Sequence, residues 1–62
     1  MQSIKDVLME RDGMTSIEAE DLLEQAKEAY FDYIDEENDD AAENICEEYF
    51  NLEQDYLDDL FS

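Results

Sequence analysis

Basic residues are nearly absent from this chain. Three Lys and Arg stand against 21 Asp and Glu in 62 residues, a formal net charge of −18. None follows Lys27, so the last 35 residues hold carboxylates with no internal counter-ion. Such self-repulsion opposes any compact state and also repels other polyanions, so nucleic acids and anionic membranes are excluded as direct partners. Histidine is missing altogether, which removes Ser/His and Cys/His catalysis and leaves zinc without an N/S ligand set. The single cysteine, Cys46, cannot form an internal disulfide, which argues against a stapled secreted miniprotein. There is no Pro and one Gly, Gly13, a composition that favours helices over a turn-rich β fold. No apolar run approaches the roughly 20 residues of a membrane span. The first residues carry no basic stretch followed by an apolar block, so no signal peptide is expected and a cytoplasmic setting is.

What is present is apolar spacing. Hydrophobic residues make up 44% of the chain, more than acidic disordered segments carry. They recur at helical intervals, predicting one all-α domain over residues 1–62, a bundle of three to four helices at about 4–12, 16–37, 41–50 and 53–61. Ser3 can cap the first helix, which carries Ile4, Val7 and Leu8 and stops at Gly13. Thr15-Ser16-Ile17-Glu18 is a capping box with Met14 ahead of it. Ala19, Leu22, Leu23, Ala26, Tyr30, Tyr33 and Ile34 then form one stripe. Asp40 is read as the start of the third helix, with Ala42, Ile45, Cys46, Tyr49 and Phe50 on its apolar face. Asn51 is read as its left-handed stop. The last helix is expected to bury Leu57, Leu60 and Phe61. Cys46 lies on an apolar face and reads as a core residue.

The polar faces carry the functional signal. Glu24, Glu28, Asp32, Asp35 and Asp39 follow one another at steps of four, four, three and four, which is one helical face. Successive carboxylates are then roughly 5–6 Å apart along the axis, a scale comparable with the phosphates of a DNA strand, which rise about 3.4 Å each. The usual Lys four residues on is missing from this face. Glu36 extends the row, and Glu43, Glu47, Asp55, Asp58 and Asp59 supply a second one. Tyr30, Phe31 and Tyr56 are candidate aromatic anchors.

A calcium loop fits badly. Glu36, Asn38, Asp40 and Glu47 fall at positions one, three, five and twelve of an EF-hand-length loop, but Ala41 stands where Gly makes the turn. No metal, cofactor or catalytic residue is assigned.

Residues 45–61, especially Tyr56-Leu57-Asp58-Asp59-Leu60-Phe61, resemble the helix-turn-helix of AraC-like regulators, although Phe50-Asn51 departs from the Gly common in that turn. A reading helix needs Arg, Lys, Asn or Gln toward base edges and phosphates. Asp55, Asp58 and Asp59 occupy it here, so the resemblance implies a reused scaffold. In size, charge and helical character the whole chain resembles small acidic inhibitor proteins of phages and mobile elements. These include anti-CRISPR, anti-restriction and glycosylase-inhibitor proteins that occupy nucleic-acid grooves. That resemblance implies a DNA mimic in the bacterial host cytoplasm. Its partner would be a basic nucleic-acid-binding protein, a CRISPR effector or restriction nuclease. The alternative is an acidic interaction module that docks on a partner or pairs with itself through Phe31, Tyr56 and Phe61.

Overall fold

Left-handed residues end three of the helices. A computed structural model describes residues 2–61, all-α, with five α-helices and no strand among the described residues. The helices are α1 (Ile4–Arg11), α2 (Ser16–Asp35), α3 (Asp39–Glu43), α4 (Ile45–Phe50) and α5 (Leu57–Leu60), with a 3-10 turn at Gln54–Tyr56.

The first three helices each start at a side-chain cap, whereas α4, the 3-10 turn and α5 have none. The Ser3 hydroxyl accepts the Asp6 N–H at 3.1 Å. The Thr15 box is complete: Thr15 Oγ1 accepts the Glu18 N–H at 3.2 Å, and the Glu18 carboxylate accepts the Thr15 N–H at 3.1 Å. Asn38 accepts the Ala41 N–H at 3.4 Å and opens α3, so cap and helix both begin two residues before the Asp40 opening and 41 start expected from sequence.

The stops are equally local. Gly13 (φ 68°), Glu37 (φ 59°) and Asn51 (φ 56°) are left-handed. After each, the next amide turns back on the helix just ended: Met14 N–H to Leu8 O, Asn38 N–H to Tyr33 O, and Leu52 N–H to Cys46 O. Gly and Asn accept this conformation readily, whereas Glu37 does so against its preference. That reversal ends α2 at Asp35, two residues short of the expected 37.

The expected helix over 41–50 is two helices. Asn44 separates them: its side-chain Nδ2 donates to Asp40 O at 3.0 Å, while its own N–H is shared between Asp40 O and Ala41 O. This local competition tightens the turn. The expected 53–61 helix likewise starts as the 3-10 turn, and its regular part ends at Leu60.

The core lies where α2 packs on α1, α3 and α4. Ile4, Leu8, Ala19, Ala26, Ile45, Cys46, Phe50 and Leu60 form one buried cluster, with Leu22, Leu23, Tyr33 and Tyr56 against it. Ala19 and Ala26 let the partner helices approach α2 closely. Phe50 is the largest fully buried side chain. Truncating it to Ala costs about 3–5 kcal/mol, comparable with the whole stability of so short a domain, about 3–9 kcal/mol at 0.05–0.15 kcal/mol per residue.

Candidate anionic interface

Two of the three cations are used inside the fold. Lys5 pairs with Glu20 at 2.9 Å. Arg11 makes a two-pronged bond to Asp12 at 3.0 and 2.9 Å and also donates to Phe50 O at 2.6 Å. The guanidinium therefore sits at the C-terminal end of α4, where the helix dipole favours a cation. Its bonds to Asp12 hold that carboxyl below the ordinary aspartate range, and Asp12 in turn raises Arg11. Lys27 is half-buried on α2.

The carboxylates divide into two groups. Glu18, Glu20, Glu10, Asp12 and Glu48 are tied to neighbours: the helix cap, Lys5, Gln2, Arg11 and Tyr33 respectively. None of these five belongs to the rows read from the sequence. Glu24, Glu28, Asp32, Asp35, Glu36, Asp39, Glu43, Glu47, Asp55 and Asp58 are all exposed. Among the described residues, no side-chain hydrogen bond or ion pair engages them. At about 100° per residue, Glu24, Glu28, Asp32 and Asp35 stay on the side of α2 opposite Ala19 and Ala26.

Three members of the rows need correction. Asp39 does not continue the α2 face, because Glu37 reverses the chain and Asp39 is the first residue of α3. Glu36 caps the C-terminus of α2 and lies past its last regular turn. Asp59 turns inward: it is half-buried and accepts the Ile4 N–H at 2.8 Å. The first amide of α1 has no helical acceptor, and Asp59 supplies one. The second row is thereby reduced to Glu43 and Glu47 on α3 and α4, with Asp55 and Asp58 on the C-terminal segment. Glu47 also lines an open depression of about 420 Å³ with Asn44, Glu48 and Asn51.

The aromatic anchors separate as well. Tyr30, Phe31 and Phe61 touch one another, with ring centroids 4.7–5.7 Å apart. Phe61 was expected to be buried, but α5 stops at Leu60 and Phe61, as its cap, crosses to Tyr30. It is 41% exposed and Phe31 is 60% exposed. Tyr56, like Tyr30, packs against the core, but it lies outside this group. Tyr33 donates its hydroxyl to both Glu48 oxygens, at 3.2 and 3.0 Å, which raises its pKa above the ordinary tyrosine value. Nothing local in the sequence signals that bond, since the partners are 15 residues apart.

The other chemical candidates take plain structural places. Cys46 is fully buried, and burial, then the charge of Asp59, push its thiol up. Glu36, Asn38, Asp40 and Glu47 are spread over a cap, a turn and two helices, so the stretch is not a twelve-residue loop. Among the described residues, no group of three or more His, Cys, Asp or Glu is arranged to hold a metal ion. Among the described residues, no helix is long and apolar enough to cross a membrane. Compared with known protein families, curated proteins and solved structures, the chain matches none.

Proposed function

We propose that this chain is a stoichiometric protein inhibitor of the DNA-mimic type. Its exposed carboxylates enter the cationic nucleic-acid groove of a DNA- or RNA-handling enzyme. A host defence nuclease is the target class, with a CRISPR effector foremost. The observation that carries the reading is the division of the carboxylates. Lys5, Arg11 and the capping sites are satisfied by one set, and a second set on α2, α3 and α4 is left projecting on a packed helical body. Carboxylates held one helical turn apart present fixed negative charge at a spacing that Lys and Arg of a phosphate-binding groove can meet. A net charge of −18 speeds encounter with such a groove and makes binding strongly salt-dependent.

A second reading is favoured by the exposed apolar side chains Phe31, Phe61 and Ile34. An acidic interaction module would use these as its contact and the charge for solubility alone.

Capture from a bacterial lysate at low and high salt, followed by elution with DNA or guide RNA, separates the two. A groove mimic retains a nucleic-acid-binding enzyme at low salt, and nucleic acid displaces it. Partners that ignore both salt and nucleic acid would support the second reading and sink the first.

A further inference from the structure

The aromatic group at the edge of the anionic surface has a geometry that restricts what can sit on it. Tyr30–Phe61, Phe31–Phe61 and Tyr30–Phe31 centroids lie 4.7, 5.6 and 5.7 Å apart, with rings tilted 57°, 66° and 81°. Rings this close touch directly and leave no slot between them for a cation, so the group is not an enclosing cage. Phe31 and Phe61 are 60% and 41% exposed, and Ile34, three residues after Phe31 on α2, is 41% exposed. An occupant must therefore sit on the outside of the group, against Phe31 and Phe61.

The surroundings specify its charge. Glu28 and Asp35, each about one turn away, fall within about 60° of Phe31 around α2, as does Lys27, with Glu24 two turns back on the same side; Asp58 precedes Phe61 by three residues. Lys27, one turn before Phe31, is the one basic residue in α2. A second copy of this chain would bring a further net charge of −18, which opposes self-association. A planar cation suits the patch best. Arginine stacks on aromatic faces and keeps its N–H edge free for bidentate bonding to a carboxylate. Lysine, a compact and strongly hydrated charge, gains less from the rings.

Deepening the proposed function, and resting on it, we infer that Phe31 and Phe61 form a stacking seat for an arginine of the basic partner. Its guanidinium lies on the rings and is held by the neighbouring carboxylates of α2.

The test uses two synthetic peptides of equal length and charge, one with Arg and one with Lys as its only cation, titrated calorimetrically into the full chain. Variants Phe31→Leu and Phe61→Leu keep apolar area but lose the aromatic face; both sites are exposed, and circular dichroism of each variant checks that the helices remain. The wild-type chain is expected to bind the arginine peptide about three- to fivefold more tightly than the lysine peptide. The double leucine variant should bring the two affinities together without weakening lysine-peptide binding. Equal wild-type affinities, or a preference that survives both leucines, overturn the seat and leave the electrostatic reading standing. Binding of neither peptide at low salt overturns both.

Discussion

Asp59 accepts the backbone N–H of Ile4 at 2.8 Å, joining the C-terminal helix to the first turn of α1 across 55 positions of sequence. Its neighbour Asp58 is exposed. Asp59→Ala should therefore cost about 1–2 kcal/mol, as loss of a helix cap does, whereas Asp58→Ala should stay within about 0.5 kcal/mol. Urea unfolding of both variants checks the pair. Equal effects would remove the distinction drawn between the two aspartates.

Glu37 holds a left-handed conformation at φ 59°, which L-residues other than Asn and Asp rarely adopt. Glu37→Asn should stabilise the fold by about 0.5 kcal/mol, since Asn tolerates αL and a repelling carboxylate is removed. Gly13→Ala should do the reverse. An added Cβ there meets nothing within 4 Å, so its cost of about 1–2 kcal/mol is backbone strain alone. Thermal melts of the two variants should move in opposite directions.

The Tyr33–Glu48 bond sets an alkaline limit. The neutral phenol donates to the carboxylate, so the folded-state pKa is raised. The contribution is complete below the unfolded tyrosine value of about 10 and is lost as pH rises through the folded value. A tyrosinate absorbance titration should show Tyr33 ionising late, and Glu48→Gln should make it titrate earlier. The Arg11–Asp12 contact acts at the other end. Asp12 is lowered in the folded state, so its contribution is present above the ordinary aspartate range and fades as pH falls through the lowered value. Asp12→Asn should flatten that acid arm.

The helical class was legible because caps and stops are written in adjacent residues. Ser3, Thr15-Glu18, Gly13 and Asn51 all act where their spacing implies. The breaks at Glu37 and Asn44 were not, because one is a residue held against its preference and the other a side chain competing for backbone carbonyls. The acidic face of α2 was readable from periodicity to Asp35. Periodicity carried Asp39 too far, because it assumes the helix continues. Asp59, Phe61 and Tyr33 depend on long-range partners, Ile4, Tyr30 and Glu48, which no local pattern encodes.

Salt should stabilise the isolated chain. At 0.01 M the Debye length is about 30 Å, close to the longest dimension of the molecule, 34 Å, so repulsion acts across the whole body. At 0.15 M it falls to about 8 Å. The thermal midpoint should climb between these two conditions. A falling midpoint would mean that the Lys5–Glu20 and Arg11–Asp12 pairs outweigh the repulsion.

The most direct measurement of the central claim is the affinity of the captured partner for a chain with Glu24→Gln, Glu28→Gln, Asp32→Asn and Asp35→Asn combined. These changes keep side-chain shape on α2 and remove its charge. If the carboxylates occupy a cationic groove, affinity falls about tenfold or more at low salt and its salt dependence flattens. An unchanged affinity with an unchanged salt dependence would contradict the claim.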